Sequence, residues 1–474
     1  MLLVILAPQV LAGVAFAMPR SRWRPATLLP AAALHAGGVA GLWIAPPAPR
    51  PGAWLGLDAP GLLALTVMSA LFLTCAIYAQ GYLARRSDRD DRAFVGGLLI
   101  LLAAVSTVAL AQHLGFLWVA IEITTLSTAP LIYFNRSEGA LEAAWKYLVV
   151  CSVGIAMALI GTFLLALASA GPGGPRTLLV EALVAGGGAL SLPWLQAAFV
   201  FLLAGYGTKM GLAPFHAWKP DAYGEAPGLL GALLSGGVTA GAFVALVRVL
   251  RVCDAGGAGT FARQGFVAIG LLSLTLAAVF VVGQRDFKRM LAYSSVEHMG
   301  ILVLGIGVGG AAATGAFFHL VTNGLTKGVL FLAAGNIHRA FGSKRTEVVS
   351  GAARVLPYSG PVFLTAFLAI TGSPPFAPFF SEFAILAGAV RGGAFLPAAA
   401  FLICLSVIFV GMGATVLGVV QGAPPDEVEG TRFGDSLLTA GPPLLLMAAV
   451  LALGLWVPAP LQAAFEAAAA SIGG

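Results

Sequence analysis

Fourteen apolar windows, each about as long as a bilayer is thick, constrain this chain more than any other feature. They run at about 2–18, 26–45, 61–83, 93–112, 114–134, 145–170, 195–222, 227–250, 264–283, 290–309, 312–338, 358–390, 395–420 and 436–456. A hydrocarbon core of roughly 30 Å takes about 20 helical residues to cross. Lipid offers the backbone no hydrogen-bond partner, so each window is expected to be an α-helix. The short alternating segments of a membrane β-barrel are absent. Charged residues make up 10% of the 474, against roughly 25% in a soluble domain. The fold class is therefore an all-α polytopic membrane protein with about 14 transmembrane helices, numbered here as spans 1 to 14. Residues 171–192, Gly-rich and weakly apolar, read as a loop with a short surface helix.

The placement of cations orients the spans. Loops after odd-numbered spans hold 18 of the 26 Lys and Arg residues, among them Arg20, Arg22, Arg85, Arg86, Lys219, Lys288 and Arg432, while loops after even-numbered spans hold 6. Cytoplasmic loops carry the excess of Lys and Arg, so the odd-numbered loops are expected in the cytoplasm and both termini on the other side. The net charge of +6 sits between spans and is no nucleic-acid signal. The first span ends in Ala15–Phe16–Ala17, which looks like a cleavage site. No basic residue precedes it, so it reads as an uncleaved span. Cys75, Cys151, Cys253 and Cys404 are isolated, without ligand spacing, which supports neither a disulfide framework nor an iron–sulfur site.

Two spans are interrupted. Span 7 carries Lys209 and then Gly211 and Pro214 within FLLAGYGTKMGLAPFHAWKPDAYGEAPG. Span 12 reads TGSPPFAPFFSEFAIL, with Pro374, Pro375 and Pro378 ahead of Glu382, which mirrors Lys209 and Pro214 with the sign of charge reversed. Spans 4–8 and 9–13 are each five helices long, and the fourth of each set is the broken one. An odd number of spans inverts the second set, and inverted repeats with paired broken helices are a transporter pattern. The chain divides into three N-terminal spans (1–92), a first repeat (93–251), a second repeat (263–421) and a last span with a C-terminal tail (435–474).

Few ionisable residues fall inside the windows. They are Glu122 in span 5, Lys209 and His216 in span 7, Glu297 and His298 in span 10, His319 and Lys327 in span 11, and Glu382 in span 12. A lone Lys or Asp costs about 2.5–3.5 kcal/mol on insertion scales, so these groups are expected to offset one another in pairs or through water. Glu122 is read as the partner of Lys209. His319, Asn323 and Lys327 are four apart and share a helix face, where polar groups hold a water wire. Glu297 and His298 are adjacent and point to different faces, so one of the two is expected to line the path. Packing roles stay open: Glu122 bonded to hydroxyls among the Thr124, Thr125, Ser127 and Thr128 that follow it, Asn323 as interhelical glue, Glu382 facing a helix N-terminus. His35 and His338 read as edge residues, and His113 as a residue of the outer mouth.

The longest of these motifs, GYGTKMGLAPFHAWKPDAYGEAP and DFKRMLAYSSVEHMG, with FLWVAIE ahead of them, resemble the antiporter-like membrane subunits of respiratory complex I, membrane-bound hydrogenases and multisubunit cation/proton antiporters. The resemblance covers roughly residues 60–420. WVAIEITTLSTAPLIYFNRSEGALEAAWKYLVVCSVGIAMALIGTF and TGSPPFAPFFSEFAIL look like the hydrogenase-4 component F branch. It implies a subunit that moves protons when a partner's redox reaction drives it, with Glu122 and Lys209 as the input pair, Lys327 as the central residue and Glu382 as the twelfth-span ionisable group. Many members of the family carry a lysine or histidine in span 8. Here Thr239 and Ala240 stand in that region, so Ser235, Thr239 and water, or His216, are left to bridge the gap. The chain also ends about eighteen residues after span 14, without the long lateral helix of one complex I member.

No nucleotide fingerprint, metal-ligand cluster or haem motif is visible. No cofactor is therefore expected in this chain, and the electrons are assigned to partner subunits with iron–sulfur, nickel–iron or flavin groups. The expected function is a proton-translocating membrane subunit of a redox complex in a bacterial-type inner membrane. A cation/proton antiporter subunit and a non-pumping anchor are the alternatives.

Overall fold

The computed structural model describes residues 1–19, 23–84, 89–426 and 433–473. Arg20, Arg22, Arg85, Arg86 and Arg432 lie outside the described residues. Among those described, eleven helices are long and apolar enough to cross a membrane, and they coincide with spans 2–6, 8–11, 13 and 14. Span 1 is the shorter helix Leu2–Ala17. Spans 7 and 12 are each split, into Leu192–Met210 with Trp218–Glu225 and into Ser359–Ile370 with Ala377–Arg391. Strand pairing among the described residues is limited to isolated bridges such as His113 with Leu179.

The most buried spans are 8 (Gly228–Ala255) and 11 (Gly310–Phe341). The outer spans turn apolar side chains outward: Val149, Val153 and Phe163 on span 6, Ile403 and Val410 on span 13. Lipid is as apolar as leucine, so helix association rests on close packing. Small residues supply it. A Cβ on Gly205 of span 7 meets the Gly154 carbonyl and the Ala158 amide of span 6 at 2.6 Å, and a Cβ on Gly270 of span 9 lies 2.9 Å from the Gly300 carbonyl of span 10.

Each break has its backbone satisfied locally. Gly211 ends the first half of span 7 at φ +78, and its amide and that of Leu212 both bond to the Gly207 carbonyl at 2.8 Å. An L side chain is disfavoured in that conformation. The Trp218 indole reaches back to the Thr208 carbonyl at 2.8 Å, and Ser273 of span 9 accepts the Ala213 amide at 2.9 Å. In span 12, Gly372 plays the same part at φ +72, and the Ser373 amide bonds to the Leu368 carbonyl at 3.0 Å. Span 8 contains a π-helical segment, Leu233–Val238, where Gly236 lies against Gly324 of span 11. Single π-turns inside α-helices are frequent at functional sites.

The short helix expected within 171–192 is Val180–Ala185, which exposes Glu181 and Ala185 and turns Val180 and Leu183 inward, with the Val180 amide bonded to the Gln112 carbonyl at 2.9 Å. Several other expectations change. The C-terminal tail forms a helix, Ala459–Ala470, with Phe465 packed on Phe318 at 5.2 Å. His35 is fully buried, 2.8 Å from the Ser106 hydroxyl of span 4, instead of lying at an edge. His338 is half-buried near the end of span 11, and His113 caps span 5, stacked on Trp54 at 4.5 Å. Lys219 and Lys288, both counted as loop cations, are buried.

Candidate functional site

The break in span 7 brings Lys209 to the end of its first half-helix, 1% exposed. Its ammonium donates to the Tyr147 hydroxyl of span 6 at 2.7 Å and to Thr125 of span 5 at 2.9 Å. Glu122, one turn before Thr125, interacts with Thr125 and, at longer range, with Lys209. The expected pair is thus linked through a threonine hydroxyl, and one buried Glu122 oxygen finds no protein partner. Tyr147 in turn shares a 2.6 Å hydrogen bond with Thr128. Nothing in the sequence singled out Tyr147. Its spacing of four from Cys151 along span 6 only places both residues on one face.

A second, denser cluster lies between spans 10, 11 and 12. Lys327 donates to the Ser294 hydroxyl at 2.7 Å, and Ser294 donates to Glu297 at 3.2 Å. His298 Nδ1 lies 3.0 Å from His319 Nε2, and His319 Nδ1 lies 2.9 Å from the Ser381 hydroxyl. Glu382 Oε1 is 3.9 Å from His298 Nδ1, and Glu297 Oε2 is 3.7 Å from His298 Nε2. Both Glu297 and His298 therefore face the cluster, where one of the two was expected. Glu297 has three side-chain torsions, enough reach to close the roughly 100° between adjacent helical positions. His319 and Lys327 share the face that their spacing of eight predicts. Asn323, between them, is buried with its Oδ1 unpartnered.

Other expected residues fall elsewhere. His216 sits in the span 7 break, half-buried, with its ring 6.3 Å from that of Tyr293. Ser235 and Thr239 bond to carbonyls of their own helix, at 3.3 and 2.6 Å. Lys209 precedes its break and Glu382 follows its own, so the two do not occupy matching places in the repeats. Of the two buried lysines counted with the loops, Lys219 and Lys288, the one in the span 7 break is Lys219. It follows a proline-containing break and reads as a loop residue for that reason.

His298, His319 and Glu382 also bring ligand-capable atoms within 4.8 Å of one another, a donor set that zinc accepts. The two facing imidazole nitrogens are spent on each other, however, and the Lys327 ammonium on the same helix repels a cation. The arrangement fits a proton relay better than a metal centre. Histidine and lysine both take up and release protons in tuned surroundings.

At one end of the bundle, a charged crevice of about 430 Å³ is lined by residues including Glu142, Lys146, Asp221, Glu225, Arg289 and Lys344. Lys146 pairs with Glu142 at 2.6 Å and with Asp221 at 2.9 Å, Arg289 also pairs with Asp221, and Lys344 pairs with Glu225 at 2.5 Å.

Comparison with known proteins places these clusters in context. Residues 111–408 match the family described as NADH:quinone oxidoreductase/Mrp antiporter, transmembrane. The chain is 34% identical to a hydrogenase-4 component F homologue of Methylacidiphilum infernorum, over 78% of this chain and 79% of that one. It is 31% identical to NADH-quinone oxidoreductase subunit 14 of Thermus thermophilus, over 83% and 85% of the two chains. In fold it is similar to a chain of the Mrp complex from Dietzia sp., with a TM-score of 0.88 at 23% identity over 98% of this chain and 96% of that one. The chain belongs to the membrane-subunit family shared by NADH:quinone oxidoreductases and Mrp antiporters.

Proposed function

We propose that this chain is the proton-translocating membrane subunit of a redox-driven complex of the hydrogenase-4 or NADH–quinone oxidoreductase kind. The observation that carries the reading is the open hydrogen-bonded character of its buried charges. Lys209 and Lys327 are held by hydroxyls, with no carboxylate in direct contact. Acids and histidines stand one hydroxyl or one ring away. A buried charge kept for stability is paired directly and saturated with hydrogen bonds. Groups that must take up and pass on a proton are better served by neutral partners that can both donate and accept.

In this reading protons enter near Glu122 and Lys209, cross the interior to Lys327 and leave through the His298–His319–Glu382 cluster. Ser235, Thr239 and Asn323 are accessory at most, and His216 stands at the edge of the route. The two units 93–251 and 263–421 act as inverted halves about spans 8 and 11. The odd-numbered loops face the cytoplasm, which puts both termini on the other side of a bacterial-type inner membrane. Other membrane subunits flank the chain, and soluble partners with iron–sulfur, nickel–iron or flavin groups carry the electrons. Moving one proton against 100 mV stores about 2.3 kcal/mol, which the partner reaction must supply.

The test is Lys209→Ala in a complex that still assembles. Proton pumping per turnover in proteoliposomes is expected to fall at least tenfold, and unchanged pumping overturns the assignment. Co-purification without any redox subunit, together with sodium-dependent proton exchange, would instead make the chain a cation/proton antiporter subunit.

A further inference from the structure

We propose that Lys219 is the proton carrier between Lys209 and Lys327, so that the second half of span 7 supplies the middle station of the route. The inference rests on the proton-carrying reading above, and four observations support it.

The first is place. Lys219 is fully buried, and its ammonium donates to Ser295 of span 10, at 3.1 Å to the hydroxyl and 3.4 Å to the carbonyl. Lys327 donates to Ser294. The two lysines thus hold adjacent residues of one helix from two other elements. The end of the Lys219 side chain also lies over Gly211, with Nζ 2.9 Å from where a Cβ would stand. Gly211 is two residues beyond Lys209. Cys151 of span 6 is within electrostatic reach of both Lys209 and Lys219.

The second is satisfaction. Lys288 shows what a structural buried lysine looks like here: its ammonium donates to the Gly224 and Ala226 carbonyls at 2.9 and 2.6 Å, at the end of the half-helix Trp218–Glu225. Lys219 has only the longer bonds to Ser295 and forms no described ion pair. A lysine ammonium has three donors, so at least one N–H is left from which a proton can be handed on, and the neutral amine then takes up the next one.

The third is the pattern of the breaks. In span 12, Glu382 lies on the second half-helix, and one carboxylate oxygen comes within 2.5 Å of a Cβ position on Gly372. Lys219 does the same in span 7, over Gly211. At both breaks a charged side chain from the second half folds back over a glycine at positive φ. A Cβ at either glycine would collide with it. The counterpart of Glu382 is therefore Lys219.

The fourth is the surroundings. The charged or titratable groups facing Lys219 are Lys327 of span 11, His298 of span 10, Cys151 of span 6, and His216 and Tyr223 of its own segment. No carboxylate is among them. Two ammonium groups repel strongly at low dielectric, so Lys219 and Lys327 resist being charged together, and a proton on Lys219 can pass on once Lys327 has lost its own and offers a neutral amine as acceptor. In each step an N–H bond breaks at one lysine and another forms at the next. The Ser295 and Ser294 hydroxyls hand on a proton for each one they accept, and total charge is unchanged.

The experiment compares Lys219→Met, Lys219→Gln and Lys219→His with Lys209→Met, all in the complex purified with its partner subunits and reconstituted in liposomes. Lys219→Met is expected to lower proton pumping per turnover at least tenfold without loss of partner subunits. Lys219→Gln keeps a donor for Ser295 but carries no exchangeable charge, and is expected to pump as poorly. Lys219→His is expected to retain measurable pumping, with its alkaline fall moved down by about one pH unit or more, since imidazole releases its proton at lower pH than an amine. If Lys219→Met disrupts assembly, the Gln and His variants decide. Full pumping by Lys219→Gln, or an unmoved pH profile in Lys219→His, overturns the proposal and leaves Lys219 structural. Full pumping by Lys219→Gln with failure of Lys209→Met leaves the proton-carrying reading standing. Full pumping by both removes that reading as well.

Discussion

Arg248 on span 8 and Lys327 on span 11 are both fully buried, and they are held in opposite ways. Four of the five guanidinium donors of Arg248 have acceptors: Asp58 at 3.0 and 2.9 Å through Nε and Nη2, the Val108 carbonyl at 2.8 Å and the Ala109 carbonyl at 2.6 Å. Lys327 has one described hydrogen bond for three donors. Around it, Asn323 Oδ1, His298 Nε2 and Glu382 Oε1 are buried without a protein hydrogen bond. The contrast separates a charge that ties helices together from charges arranged to change. Arginine suits the first task because it stays protonated and its planar fork matches a carboxylate. Lysine and histidine suit the second because their protons leave. In the proposed route, burial of charge alone does not mark a station; incomplete satisfaction beside other titratable groups is what sets Lys327 apart from Arg248.

The largest effect that tests this contrast is expected at the closed pair. Asp58→Asn leaves Arg248 buried without its counter-charge. Breaking such a pair from one side costs roughly 3–5 kcal/mol. Thermal unfolding of the purified complex should show this chain destabilised, while pumping per assembled complex stays normal. At the open site, Lys327→Met is expected to do the reverse. It removes an under-satisfied charge in favour of an apolar chain of similar length, so stability holds or rises, and pumping falls at least tenfold. Should Lys327→Met unfold the chain as severely as Asp58→Asn, the distinction collapses and Lys327 is structural.

Which of these residues the sequence revealed depends on the physics that each one uses. The fold was legible because lipid forces every spanning segment into a helix, so hydropathy alone located fourteen spans, and glycine with proline marked both breaks. Lys209, Lys327, His319 and Glu382 were legible because a lone ionisable residue in an apolar window stands out. Lys219 was hidden for the opposite reason: it lies in WKPDAYGE, a short polar half-helix that composition cannot tell from a loop. Its burial follows from how that half-helix packs under spans 6 and 10. Tyr147, Ser294 and Ser381 were hidden because hydroxyls in membrane helices usually bond to their own backbone, as Thr239 does. Only the tertiary structure shows which hydroxyls face a lysine or histidine instead. The pairing of Glu297 and His298 was misjudged from helical angle, because side-chain length outweighs a rotation of one residue.

The smallest expected effect concerns pH, and it sharpens the contrast because the two regions should differ in the same titration. Asp58 precedes span 3, outside the membrane segments. Burial raises its carboxyl, but the Arg248 guanidinium, the Gly61 amide and Gln112 outweigh burial and hold it below its ordinary value of 3.8. A depressed folded-state value contributes stability that is fully present above the unfolded value and is lost as pH falls through the folded one. The stability difference between the native chain and Asp58→Asn should therefore stay flat from pH 8 to pH 5 and shrink only below about 4. Proton pumping runs on groups that must exchange protons under working conditions, so its rate should vary across that same interval. Thermal unfolding and pumping measured side by side from pH 5 to pH 8 provide the check. A stability difference that varies with pH in step with pumping would show that the Asp58–Arg248 pair is coupled to the proton path after all.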